Sequence, residues 1–265
     1  MRIDRYAEGH FCWADLSSTD IEATLPFYHD VLGWDGQPRD MDDGFAYYMF
    51  SRDGDLVAGG GTLTDDARDA GVTPAWTPYA NVADLDGAVQ RAADAGAAVI
   101  APPADVGDHG RMAYLADPEG AVFGLWQPGA HRGFERVNAP GACIWNELNT
   151  RDPEAAQRFY AALFGWAFRP ATNDAPSPYW TIHIDKGHNE DGYNGGILQM
   201  TEEWGDIPSH WMTYFAVDDV HDAVQRVRDA DGAVHHGPFD SRVGPLAVVA
   251  DPQGAVFMMM NAPRR

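Results

Sequence analysis

Asp117-Pro118-Glu119-Gly120-Ala121-Val122-Phe123 and Asp251-Pro252-Gln253-Gly254-Ala255-Val256-Phe257 are one phrase written twice, changed at a single position. Asp-Pro-x-Gly is turn chemistry: Pro presets φ, Asp bonds its own backbone and Gly takes the positive φ. Apolar runs flank both copies, Met112–Ala116 with Val122–Trp126 and Leu246–Ala250 with Val256–Met260. Each flanked turn therefore reads as a β-hairpin.

Working outward, the rest of the chain repeats in the same order at an offset of about 132–135 residues, as a fixed-period repeat requires. Cys12-Trp13-Ala14-Asp15-Leu16 matches Ile144-Trp145-Asn146-Glu147-Leu148. Asp20 and Asp152-Pro153 are helix starts, with an N-cap acceptor and, in the second copy, Pro at the first helical position. The helices they open carry Phe27-Tyr28 and Phe159-Tyr160, and end at Gly33-Trp34 and Gly165-Trp166. Tyr79–Val82 then Asp84, and Tyr214–Val217 then Asp219, each read as a strand, an acidic cap and an amphipathic helix. Phe45–Phe50, Val57–Leu63, Tyr179–Ile184 and Gly195–Met200 are further strand candidates, and the segment from Pro128 to Gly141 is the expected linker. The expectation is an α+β protein of two tandem modules, 1–130 and 131–265, built from βαβββ-like units.

Composition narrows the partners. The chain has 265 residues, 40 Asp and Glu against 18 Lys and Arg, and a formal net charge of −22. Such a surface repels nucleic acid and anionic lipid, so neither is expected as a main partner. There are two cysteines, Cys12 and Cys143, so no disulfide framework is indicated. No secretory signal and no run long enough to span a bilayer is read, which makes the cytoplasm the expected location. Oligomeric state stays open between monomer and homodimer, since duplication lowers the need for a partner chain.

The ordered blocks, strand–helix, Phe-Tyr-x-x-x-(Leu/Phe)-Gly-Trp, strand–helix and Asp-Pro-x-Gly before a last strand, resemble the vicinal oxygen chelate superfamily of glyoxalases, bleomycin-resistance proteins and extradiol dioxygenases. The resemblance covers nearly the whole chain, twice. It implies curled mixed sheets that form cups around a small molecule and, in many members, a divalent metal. Family metal ligands are His, Glu or Gln, and the aligned positions here hold Trp13, Thr77 and Gly124 in one module and Trp145, Met212 and Met258 in the other. Indole offers no free lone pair, glycine has no side chain and a thioether is too soft for Fe(II), Mn(II) or Mg(II). No family-type metal site and no cofactor are expected.

If Trp13 and Trp145 replace inward-facing ligands, strand alternation turns Asp15 and Glu147 the same way. Each cup then sets an indole face, suited to stacking on a flat aromatic ligand, beside a carboxylate. A carboxylate in an apolar cup has a raised pKa and can serve as an acid/base, so Asp15 and Glu147 are the candidate catalytic residues. Trp13, Trp145, His210, Met212 and Met258 are candidate ligand contacts. The alternative for Trp13 and Trp145 is plain core packing, which is the reading for Trp34, Trp166, Tyr28, Tyr160 and the Met258–Met260 run. Gly59-Gly60-Gly61, matched by Gly195-Gly196, reads as a bulge or a close backbone approach. The expected function is metal-independent binding of a bulky, planar aromatic small molecule, with or without acid/base transformation, in natural-product tailoring or antibiotic sequestration. The alternative is a metal-dependent dioxygenase, lyase or isomerase with non-standard ligands such as His183, His210 and Glu147.

Overall fold

A computed structural model describes residues 1–39, 46–171, 177–184 and 192–263. The first module runs β1 (Phe11–Ser18), α1 (Ile21–Leu32), β2 (Asp35–Arg39), β3 (Tyr47–Arg52), β4 (Asp55–Thr62), the short α2 (Asp65–Asp69), β5 (Ala75–Asn81), α3 (Leu85–Asp94), β6 (Ala98–Val106), β7 (Gly110–Ala116) and β8 (Val122–Pro128). The second runs β9 (Cys143–Thr150), α4 (Pro153–Phe164), β10 (Ala167–Pro170), β11 (Tyr179–His183), β12 (Tyr193–Gln199), β13 (His210–Val217), α5 (Val220–Asp229), β14 (Ala233–Ser241), β15 (Gly244–Ala250) and β16 (Val256–Asn261). Each module is thus two βαβββ units joined into one mixed sheet. The orders are β2-β3-β4-β1-β5-β8-β7-β6 and β10-β11-β12-β9-β13-β16-β15-β14.

Local signals act where the sequence placed them. Asp20 and Asp152 accept from the backbone N–H of Ala23 and Ala155, and Gly33 and Gly165 close their helices at φ 69° and 71°. Both Asp-Pro-x-Gly turns join antiparallel pairs, β7 with β8 and β15 with β16. The outer strands β2, β6, β10 and β14 escaped the sequence reading. They lie at sheet edges, are mostly solvent-facing and contain Pro38, Pro102, Pro103, Pro170 and Pro238, so they lack hydrophobic alternation. The Phe45 end of the candidate strand Phe45–Phe50 lies outside the described residues.

The helices pack between the sheets in crossed pairs, α1 with α5 and α3 with α4. One apolar cluster joins Ile21, Phe27, Tyr28 and Leu32 to Val220, Val224, Phe257 and Met259, and a second joins Leu85, Ala88 and Phe123 to Phe159, Tyr160 and Trp211. Each module therefore completes the other's core. Hydrogen bonds follow the same exchange. The Tyr28 hydroxyl donates to Asp251 Oδ2 at 2.9 Å, and Tyr160 donates to Asp117 Oδ2 at 3.0 Å. Trp76 and Trp211 Nε1 donate in turn to those two tyrosine oxygens. The other carboxylate oxygen of each aspartate accepts from the N–H groups of its own turn. The turn aspartates are thus also the clamps between modules. Trp34 and Trp166 are core residues whose indoles donate to Gly141 O and Gly9 O. With one face of each sheet covered by helices, Trp13, Asp15, Trp145 and Glu147 point to the opposite, cup faces.

Candidate functional site

In the first cup the carboxylate is enclosed by donors. Asp15 Oδ1 accepts from Trp13 Nε1 at 2.8 Å and from the Tyr47 hydroxyl at 2.7 Å, and Tyr79 also bonds the carboxylate. Tyr79 is itself bonded to Tyr114 across the cup floor. Desolvation by burial raises the Asp15 pKa, and the bonds from Tyr47, Tyr79 and Trp13 oppose that shift. Glycine makes the approach possible: Gly59 faces Asp15 across β1–β4, and a Cβ there would lie 2.5 Å from Asp15 Oδ1 and overlap the Tyr47 hydroxyl. The segment between β8 and β9 then folds over Trp13. The His131 ring lies edge-on to Trp13 at 4.4 Å and Phe134 sits at 5.3 Å, while Trp126 donates to His131 O. Burial, then the charges of His109 and Arg39, lowers the His131 pKa to about 4, so the ring is neutral. Trp13 is left 3% exposed.

The second cup repeats the frame and changes the contacts. Glu147 accepts from Tyr214 and Tyr179, the counterparts of Tyr79 and Tyr47. Its pKa is raised to about 7, mainly by burial, with those two bonds opposing. Trp145 Nε1 donates to the Tyr179 hydroxyl at 2.9 Å and leaves the carboxylate alone. Gly196 faces Glu147 across β9–β12 and makes room for that hydroxyl. Trp145 is partly exposed, and Met212, Tyr214, Leu246 and Met258 form a small apolar cluster with it, separate from the helix-side cores. His210 lies on the same face one step along β13, with Nδ1 2.8 Å from Pro208 O. Burial lowers its pKa. All five candidate ligand contacts and both candidate acids thus lie on cup faces: Trp13 and Asp15 in the first, Trp145, Glu147, His210, Met212 and Met258 in the second. The sequence reading missed Tyr47, Tyr79, Tyr179 and Tyr214 as partners of the acids. Each pair recurs at the repeat offset, Tyr79 and Tyr214 on β5 and β13 beside β1 and β9, and Tyr47 and Tyr179 on β3 and β11, one strand further out.

The metal that this fold implies does not fit these residues. Thr77 faces Asp15, and Gly124 lies opposite Tyr79, whose ring fills the space a side chain at 124 would need. Met212 pairs with Glu147, and Met258 with Tyr214. Each triad position thus offers an indole, a hydroxyl, a thioether or nothing, a poor donor set for a hard divalent ion. His183 bonds Thr181 at 2.8 Å and rests on Tyr193, away from His210. Among the described residues no three His, Cys, Asp or Glu side chains converge. Cys12 and Cys143 are buried thiols whose pKa burial pushes up, to about 12 for Cys143, which leaves no thiolate nucleophile at neutral pH.

The family model of the Glyoxalase/Bleomycin resistance protein/Dioxygenase superfamily matches residues 3–125 and again 143–259. The chain belongs to this superfamily. Its relatives in the superfamily include “Anthracycline biosynthesis protein DnrV” of Streptomyces peucetius, 34% identical over 98% of this chain and 95% of that one. The protein named “Putative glyoxylase CFP32” of Mycobacterium tuberculosis is 35% identical over 97% of this chain and 96% of its own. Two superfamily folds superpose along nearly the whole chain. The Mn(II)-bound glyoxalase of Novosphingobium aromaticivorans has a TM-score of 0.63 at 16% identity, covering 97% of this chain and 83% of that one. The 2,3-dioxygenase LapB of Pseudomonas sp. KL28 has 0.63 at 18%, covering 97% and 94%. No helix among the described residues is long and apolar enough to cross a membrane.

Proposed function

We propose that the second cup binds a bulky, planar aromatic small molecule without a metal, and that Glu147 is the group that meets its hydroxyl. The observation that carries this reading is the pairing of a buried carboxyl of pKa about 7 with a partly exposed indole, Trp145, in a methionine-lined cup. Indole and thioether give a large, adaptable apolar surface for a flat ring system. A carboxyl near neutrality is half-protonated at pH 7, so it can accept a phenolic proton or return one. Tyr179 and Tyr214 donate to Glu147, which fixes its orientation and leaves its remaining lone pairs for a ligand. The first cup suits this role less well. Asp15 already receives three donors, and His131 and Phe134 lie on Trp13. Its network serves as a structural counterpart of the site.

The name of DnrV supports the choice of polycyclic aromatic ligand and a setting in natural-product tailoring. A second reading, proton transfer on the bound molecule, is favoured by the same pKa of about 7. Both readings put the cup in the cytoplasm and need no nucleic acid, membrane or second chain.

The test is a titration of 2-hydroxyanthraquinone read by tryptophan fluorescence, with chelator present throughout. Quenching that saturates in wild type, weakens in Glu147→Gln and loses most of its amplitude in Trp145→Phe while surviving Trp13→Phe supports the reading. Quenching that requires added Fe(II) or Mn(II), or that depends on Trp13, overturns it. Consumption of the bound probe by wild type but not by Glu147→Gln selects the proton-transfer reading over binding alone.

A further inference from the structure

We infer that the second cup carries a polar subsite at Asn149, which receives a hydrogen-bond donor of the ligand and is held in place by His210. The inference rests on the second cup being the ligand site. Asn149 follows Trp145 and Glu147 on the cup face of β9 at two-residue steps. Its register partner on β13 is His210, just as Glu147 faces Met212 and Trp145 faces Tyr214. Asn149 is 2% exposed, and its Oδ1 is buried with no hydrogen-bond partner among the described residues. Buried amide oxygens are paired as a rule, so this one is an acceptor waiting for a donor.

The neighbours fix which amide atom waits. His210 Nδ1 lies 2.8 Å from Pro208 O, and a carbonyl can only accept, so Nδ1 bears the proton. Nε2 is then a lone-pair acceptor, and Asn149 Nδ2 lies 3.4 Å from it. That contact commits the amide N–H₂ to the imidazole and turns Oδ1 free. The fold itself does not ask for this arrangement. In the first module the same register positions hold Ser17 and Ala75, which lack both groups.

Asn149 and Glu147 lie two residues apart, about 7 Å along the strand. A ligand that places a hydroxyl on Glu147 therefore brings a second donor, an amine or a hydroxyl, to Asn149 about 7 Å away across a fused ring pair. The formal net charge of −22 favours a neutral or cationic donor there over an anion.

Two probes of equal shape separate the outcomes on the full chain: 6-amino-2-naphthol, with a donor at the far end, and 6-methyl-2-naphthol, without one. Affinities are read by tryptophan quenching and by calorimetry. Wild type is expected to prefer the amino probe by roughly 5–10-fold, the worth of one buried hydrogen bond. Asn149→Leu removes the preference while still binding the methyl probe. His210→Phe, which removes the partner of the amide N–H₂ and lets the amide turn, narrows the preference and guards against a misfolded Leu variant. Equal affinities in wild type, or a preference that survives Asn149→Leu or is unchanged in His210→Phe, overturn the subsite and leave the cup. Failure of both probes to bind wild type overturns the cup as an aromatic site, and the subsite with it.

Discussion

Glu147 is buried among apolar groups with two tyrosine donors, and its folded pKa of about 7 stands above the ordinary 4.5. A carboxyl whose pKa rises on folding stabilises the native state fully below pH 4.5, and that contribution is lost as pH rises through 7. Glu147→Gln keeps the shape and removes the charge. It is expected to be near-neutral at pH 4 and to raise stability by at most about 3–4 kcal/mol at pH 8, from the rise of the pKa from 4.5 to about 7. Thermal melts of both proteins from pH 4 to 8 check this, and a gain that is independent of pH would contradict it. Gly59 and Gly196 belong to the same scale. Gly59→Ala drives a methyl against Asp15 and the Tyr47 hydroxyl, and Gly196→Ala drives one against Tyr179. Each is expected to cost about 1–3 kcal/mol by overpacking, read by denaturant unfolding. Gly196→Ala alone should also weaken 2-hydroxyanthraquinone binding.

At the scale of elements, the reciprocal bonds Tyr28–Asp251 and Tyr160–Asp117 join a helix of each module to the hairpin turn of the other. Burial raises the pKa of both aspartates, and the bonds from the tyrosine and the turn N–H groups hold them down. Tyr28→Phe or Tyr160→Phe is expected to cost about 1–2 kcal/mol. Asp251→Ala should cost more, since it strands the tyrosine and the turn N–H groups together. The two tyrosine losses should add, because the sites share no partner; unfolding midpoints of the single and double variants decide it. Much of this was legible in the sequence. Asp20, Asp152, Gly33, Gly165 and the Asp-Pro-x-Gly turns carry local signals, and local signals need only neighbours in the chain. Asp117 and Asp251 read only as turn residues, because their second role is a contact with a residue in the other module. The Pro-bearing edge strands β2, β6, β10 and β14 were missed because an exposed edge has no buried face to write a pattern. Strand alternation placed Asp15 and Glu147 on the same face as Trp13 and Trp145. Their tyrosine partners were missed, since no local rule links Glu147 to Tyr179 or Tyr214.

For the whole molecule, the crossed packing of α1 on α5 and α3 on α4 means that neither module closes its own core. Residues 143–263 expressed alone expose the apolar faces of α4 and α5, and are expected to aggregate or self-pair, as size-exclusion chromatography would show. A well-folded monomer of that fragment would contradict the shared core. The duplication also leaves the two cups different: the first is closed and filled with donors to Asp15, and the second keeps a partly exposed indole, two methionines and the Asn149–His210 pair.

The most direct measurement is elemental analysis of the purified, untagged protein, followed by a 2-hydroxyanthraquinone titration before and after chelator treatment. The account predicts no stoichiometric metal and one affinity throughout. Fe, Mn, Zn or Ni retained at one equivalent per chain, with binding lost on stripping and restored on return of the ion, would contradict it and mark a metal centre built from ligands other than the aligned ones.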